Sequence, residues 1–172
     1  MSESAADRLF ADPALSWQPV SPALVTERRI PAAVVGLVGL GLISTSLLLD
    51  GGFGDRSLQL LLPGAVLLCC ALVAWFVVIP RVVASWRYAE RDQDLLVSHG
   101  RLRRRLSVVP YGRMQVIEVS SNPISQWLGI ATVSLVTASA ATDARIPGIP
   151  AEVAQELRDR LAAKGEAAVA GL

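Results

Sequence analysis

Ile30-Pro-Ala-Ala-Val-Val-Gly-Leu-Val-Gly-Leu-Gly-Leu-Ile-Ser-Thr-Ser-Leu-Leu-Leu49 and Ser57-Leu-Gln-Leu-Leu-Leu-Pro-Gly-Ala-Val-Leu-Leu-Cys-Cys-Ala-Leu-Val-Ala-Trp-Phe-Val-Val-Ile-Pro80 contain no charged residue. The first run has 20 residues, which as a helix at ~1.5 Å per residue reach ~30 Å, the thickness of a bilayer's hydrocarbon core. The second has 24 and spans with length to spare. In lipid every backbone donor must be paired inside its own segment, so both runs are expected as helices. Asp50-Gly-Gly-Phe-Gly-Asp-Arg56 joins them, a glycine-rich turn too short to hold a domain. The expectation is a transmembrane α-hairpin over 30–80, with spans at 30–49 and 57–80. A buried soluble hairpin fits poorly, because the 92 residues after Pro80 cannot wrap two helices that are apolar all round.

Small details agree with two packed spans. Gly36, Gly39 and Gly41 leave room for a second helix to approach closely, and Pro31 sits in the expected first turn of its helix, where proline is tolerated. Cys69 and Cys70 are adjacent, point about 100° apart on a helix and have no metal-ligand spacing, so they are read as membrane-helix filler. The chain's 52% hydrophobic content and mean hydropathy of +0.47 exceed what an ordinary soluble domain of this size needs. The net charge of +1 marks neither a polyanion-seeking nor a polycation-seeking chain.

Arg28 and Arg29 precede the first span, and Arg81, Arg87 and Arg91 follow the second, whereas the connecting turn sets Arg56 against Asp50 and Asp55. Basic residues favour the cytoplasmic side. The expected location is therefore the cytoplasmic membrane, multi-pass, with both termini cytoplasmic. Trp75 and Phe76 late in the second span, with Trp86 and Tyr88 beyond it, suit the boundary of that leaflet. Residues 1–29 include Pro13, Pro19 and Pro22 and show no sustained period, so they are expected as a loosely ordered cytoplasmic tail with Trp17 at the membrane surface. No cleavable secretion signal is apparent, since the first apolar run begins only after a polar stretch.

After Trp86 the pattern changes to short strand-like segments, near 86–91, 94–99, 102–109, 113–120 and 130–138, with a further short strand near 143–146. Gly100-Arg101 fits a tight turn and Asn122-Pro123 a break. From Pro150, Val153, Ala154, Leu157 and Leu161 recur at helical spacing, with Glu156, Arg160 and Lys164 at i, i+4 steps on another face. A β-rich unit over 86–165, closed by an amphipathic helix, is expected on the cytoplasmic side.

A membrane hairpin followed by Trp86-Arg-Tyr88, several strands and a terminal helix resembles the membrane-flanked bacterial pleckstrin-homology (PH) family. Val109-Pro-Tyr-Gly-Arg-Met-Gln-Val-Ile117 is similar to that family's proline, arginine-glutamine and apolar-strand segment, and Trp127-Leu-Gly-Ile-Ala-Thr-Val133 to its leucine-glycine-apolar-alanine segment. Ser125-Gln126-Trp127 departs from it, standing where the family carries a basic residue. The resemblance covers about 30–163. It implies an α+β unit, a PH-like β-sandwich or open barrel of antiparallel strands with a C-terminal helix, and brings no catalytic residue.

Arg101, Arg103, Arg104 and Arg105 are the densest charge cluster. On a strand, 101, 103 and 105 would share one face at ~6.6 Å steps, with Leu102, Leu106 and Val108 on the other. Such a stripe suits anionic headgroups and equally suits a solvated or guarded edge strand. Nucleic acid is a poor fit: 12 basic against 9 acidic residues from Arg81 onward make a weak footprint, with no aromatics among the arginines. His99 is the single histidine and ends a strand beside Gly100, so no metal site, cofactor site or catalytic triad is expected. Trp127 and Leu128 form either core or an exposed patch for a partner, with core the commoner fate. The function expected is non-enzymatic: an interaction module on the membrane, assembling with itself or related envelope proteins. Alternatives are anionic-lipid binding by the basic strand, or service as an accessory subunit of a membrane complex. Neither span carries a charge for an ion pathway.

Overall fold

In a computed structural model the structure describes residues 15–50, 55–101, 104–137 and 143–170. Two compact units emerge: Val25–Arg81, and a second that joins the residues before Val25 to those from Val82 onward.

The first unit holds the apolar helices. Helix α1 runs Ala23–Asp50 and α2 runs Asp55–Val73, continuing through a π-helical turn Ala74–Val78 into α3, Ile79–Val83. The stretches Ala23–Leu48 and Leu58–Val83 are long and apolar enough to cross a bilayer. Proline explains the π turn: Pro80 cannot donate to a carbonyl four residues back, and the preceding N–H of Ile79 reaches Ala74 O instead, one residue further than in an α-helix. The helices meet at glycine. A Cβ on Gly39 would lie 2.8 Å from Gly64 O, and one on Gly64 would lie 2.9 Å from Gly39 O, so backbone packs on backbone as small residues allow. Ser44 and Thr45 donate to Leu40 O and Gly41 O, each at 2.9 Å, which hides both hydroxyls from lipid. The first helix starts seven residues earlier than expected, so Pro31 lies in its interior rather than its first turn.

The second unit is built from two antiparallel sheets. One has the order β1-β2-β3-β4, from β1 Gln18–Pro19, β2 Arg87–Glu90, β3 Asp94–His99 and β4 Arg105–Pro110. The other has the order β5-β6-β7, from β5 Met114–Ser120, β6 Ile130–Thr137 and β7 Ala144–Pro150. A 3₁₀ turn at Tyr111–Arg113 links β4 to β5, and a single helical turn, α4 (Pro123–Trp127), links β5 to β6. Helix α5, Ala151–Ala170, follows β7 directly. Leu95, Leu96 and Val97 are each at most 2% exposed; three consecutive buried strand residues mean that both faces of β3 are covered. Of the expected helical stripe, Ala154, Leu157 and Leu161 are fully buried and Val153 half-buried, and α5 packs on the second sheet and the 3₁₀ turn.

Residues 18–24, read from the sequence as tail, belong to this unit. Gln18 and Pro19 pair with Tyr88 and Arg87, and Tyr88 donates its hydroxyl proton to Gln18 Oε1 at 2.6 Å. Tyr88 is therefore core, 3% exposed, and not a boundary aromatic. Ser21 N–H donates to Gly148 O at 2.8 Å, and Leu24, 3% exposed, lies on Gly148, whose φ of +70° only glycine adopts readily and whose Cβ would meet Leu24 Cβ at 2.7 Å. Trp17 is half-buried.

A polar latch holds α5 to the first sheet. Arg160 and Lys164 reach Glu90 of β2 at 3.0 and 3.4 Å. Lys164 also contacts the Tyr111 hydroxyl at 3.4 Å and donates to Arg91 O at 3.2 Å, while Tyr111 donates to Arg91 O at 2.9 Å. Burial opposes the Lys164 charge, but the Tyr111 hydroxyl and the Glu90 carboxylate outweigh it, and the pKa lies above the ordinary lysine value. Burial raises the Tyr111 pKa despite the lowering effect of Lys164.

Candidate functional site

Three surfaces of the second unit are candidates for function, two of them singled out by the sequence. The first surrounds the β3–β4 turn. Val83 ends the second apolar stretch, and two residues later Ser85 Oγ donates to Val82 O at 2.6 Å and accepts from Gly100 N–H at 3.3 Å. The turn is thus fastened to the point where the chain leaves the span. Trp86 stacks on His99 with ring centroids 4.5 Å apart and planes 11° from parallel. His99 pairs across the sheet with Arg105, and burial first, then the Arg105 charge, pushes its pKa below the ordinary histidine value. It is a neutral packing group.

Of the expected three-arginine stripe the structure describes the two ends, Arg101 and Arg105. Gly100 adopts φ +96°, which takes the chain out of extended conformation, so Arg101 lies in a bend and β4 opens only at Arg105. Arg103, with Leu102, lies outside the described residues. The faces of β4 are also reversed from expectation: Val109 is buried opposite Leu95, while Val108 is 41% exposed, which puts Arg105 on the row of His99. Arg101, Arg104 and Arg105 are all exposed, so the turn remains a compact positive tip even without strand alternation.

The second surface is α4. Asn122 caps it, accepting from Ser125 N–H at 2.7 Å as an N-cap side chain does, and Pro123 takes the first helical position. Ser125 faces inward, 5% exposed, and Ile130 just beyond is 2% exposed. Trp127 is the reverse of the expected core residue, 84% exposed, with Ile124 39% exposed one helical step behind it. Leu128 is half-buried. One turn of helix must direct one side outward, and Ser125 has taken the inner side.

The third surface, a groove of about 630 Å³ beside α5, is lined chiefly by Met114, Ile117, Leu161, Ala162, Gly165 and Ala170. Sequence reasoning missed it. Its one trace was the run of small residues late in α5, Ala162, Ala163 and Gly165, which leaves the helix too slim to cover β5. Among the described residues there is no group of three or more His, Cys, Asp or Glu side chains placed to hold a metal.

The comparisons agree with this architecture. The chain is 33% identical over 99 residues to the UPF0699 transmembrane protein YdbS of Bacillus subtilis (strain 168), an alignment covering 57% of this chain and 60% of that protein. The chain thus spans less than two thirds of its relative's length. No solved structure matches it. The profile of the bacterial PH domain family matches residues 31–165, taking in most of the helical pair, strands β2 to β7 and most of α5, and the chain therefore belongs to the bacterial PH domain family.

Proposed function

We propose that this membrane protein is non-enzymatic and presents its PH-like unit at the cytoplasmic face of the cell membrane as a docking module, through which it assembles with copies of itself or with related envelope proteins. The observation that carries the reading is the apolar groove along β5 and α5, bordered by an edge strand with Val116 54% exposed. An extended apolar segment can add to such an edge and seat alternate side chains in the groove. The cytoplasmic placement rests on the arginines flanking the spans. Photo-cross-linking from Gln115 in native membranes tests the proposal. Adducts with a second copy or with another membrane protein, absent from Asp159 on the exposed side of α5, are expected. Equal adduct yields from the two positions would overturn it.

A second reading has its own support. Arg101 and Arg105 are held at the turn that hydrogen-bonds Ser85, where headgroup phosphates would be within reach, and each basic residue near an anionic surface contributes roughly 1 kcal/mol. Loss of both would weaken that contact by about 2 kcal/mol, or roughly 30-fold. Hydrogen exchange of residues 99–105 of the full chain in nanodiscs, with and without anionic lipid, measures it. Protection independent of lipid charge and of salt would remove this reading.

A further inference from the structure

We infer that α4 is an interfacial wedge, with Ile124 and Trp127 seated in the headgroup region of the bilayer that the apolar helices cross. Apart from Leu48 in α1 at 86%, no described large apolar side chain is as exposed as Trp127, and outside the candidate spans the next is Val116 at 54%. Leu48 belongs to a stretch built to face lipid; Trp127 carries a lipid-like exposure on a sheet connection. From Ser121 to Gly129 there is no charged residue, so entering the headgroup zone desolvates no ion. Tryptophan suits this zone, since its apolar rings and polar N–H match a boundary that is apolar on one side and wet on the other.

The connection is rigid and its place in the unit is fixed. Gln126 N–H donates to Asn122 O at 2.9 Å, Leu128 N–H to Ile124 O at 3.0 Å and Gly129 N–H to Gln126 O at 3.1 Å, with Gly129 at φ +66° ending the turn. Ile124 and Trp127, three apart, share one helical side. Gly129 O accepts from Ala151 N–H at 3.0 Å, and Ala151 is three residues, about 10 Å of extended chain, from Gly148. Leu24 lies on Gly148, in the first turn of the helix that continues as the first apolar span. The exposed pair is thus tied through hydrogen bonds and one short strand segment to the first turn of the helix that crosses the bilayer, six residues before its charge-free run opens at Ile30. That continuity favours lipid as the occupant.

The test uses the full chain reconstituted in liposomes of neutral phosphatidylcholine, where no other protein is present. Lipid brominated near the headgroup quenches tryptophan at shallow depth, and the difference between the wild type and Trp127→Phe isolates the contribution of Trp127. Because this side chain is exposed, the substitution leaves the fold intact. The expected result is a Trp127 component that is blue-shifted, quenched by the brominated lipid and shielded from aqueous iodide. A red-shifted component quenched freely by iodide and not by brominated lipid would overturn the proposal. Photo-cross-linking from position 124 in native membranes gives a second reading: lipid adducts support the wedge, and adducts confined to protein refute it.

Discussion

Replacing Gly148 with alanine tests whether residues 18–24 are a working part of the PH-like unit. Two costs arise at one atom. The φ of +70° is strained for any residue with a Cβ, by about 1–2 kcal/mol. The new Cβ would lie 2.7 Å from Leu24 Cβ, and overpacking of that kind costs about 1–3 kcal/mol. The sum is roughly 2–5 kcal/mol, a fall in Tm on the order of 8–20 °C for a unit of about 100 residues. Thermal unfolding of the full chain in detergent, followed by the near-ultraviolet signal of Trp86 and Trp17, measures it. A double-mutant cycle separates the two parts. Leu24→Gly alone loses at least about 2–5 kcal/mol of packing, but it removes the obstruction, Cβ included, so in that background Gly148→Ala costs only the backbone strain. The two substitutions should thus couple favourably by about 1–3 kcal/mol. Additivity within about 0.5 kcal/mol, or no loss of Tm in Gly148→Ala, would refute the packing of the segment before α1 against β7.

Gly39→Leu sets a branched side chain against Gly64 O and the Leu68 backbone; the helix pair should separate, seen as loss of a 39–64 proximity label while the PH-like unit keeps its Tm. For His99, a native pKa below 6.5 means that the unfolded chain takes up the proton first, so stability falls as pH drops through 6.5 and levels off beneath the native pKa. Trp86 emission, quenched when its stacked partner is charged, should report that native titration in acid. Arg105→Ser should raise its midpoint only part of the way to 6.5, because burial is the larger cause; an unmoved midpoint would count against the pairing. At the other extreme, the raised Lys164 pKa contributes stability that is complete below 10.5 and is lost as pH climbs through the native value. Tyr111, raised as well, resists ionisation and adds to the same alkaline loss; Lys164→Met should remove the lysine part and, because Lys164 lowers the Tyr111 pKa, leave a tyrosine part displaced to higher pH in pH-dependent denaturation.

The hairpin was legible because lipid imposes one rule on every residue, continuous apolarity at helical length, and neither span breaks it. The strands from 86 to 120 were legible to within three residues at either end because turn residues bracket them: Gly100 and Asn122-Pro123 both act where the sequence placed them. Where the reading stopped short, the deciding contact was distant in sequence. A two-residue strand such as β1 has no pattern to read; its pairing with β2 bridges about 70 positions. The early start of α1 did leave a local sign, Ser21-Pro22 ahead of Ala23, with Ser21 Oγ accepting from Ala23 N–H at 3.3 Å, the serine-proline opening of many helices. The face that Trp127 presents was unreadable, since one turn has no period and Ser125 decides it only in the folded state. Of the arginine stripe, Arg101 lies in a bend after Gly100 and β4 opens only at Arg105, so the two described ends do not belong to one continuous strand. A fragment starting at residue 86 would lack β1 and Leu24, so binding assays belong with the full chain.

Under the proposed docking role, the pattern of proline at the sheet edges points to β5 as the edge with which a partner would pair. The two sheets have four edge strands, β1, β4, β5 and β7. An open edge invites another chain, and proline blunts it by removing a donor and stiffening the backbone. β1 ends in Pro19, β4 ends in Pro110 and opens with Arg105, and β7 carries Pro147 and Pro150. β5, Met-Gln-Val-Ile-Glu-Val-Ser, has none. Its single irregularity, the register shift between Met114 and Val116, sits at its first residues, and from Val116 to Ser120 it pairs with β6 without interruption. The three guarded edges show what this sequence does where pairing is unwanted. Leaving proline off the edge that borders the apolar groove, where Glu118 and the early bulge are the remaining guards, supports the proposed docking on β5, and a proline placed at Gln115 or Val116 should remove assembly while sparing the core residues Val133 and Leu135 of the neighbouring strand.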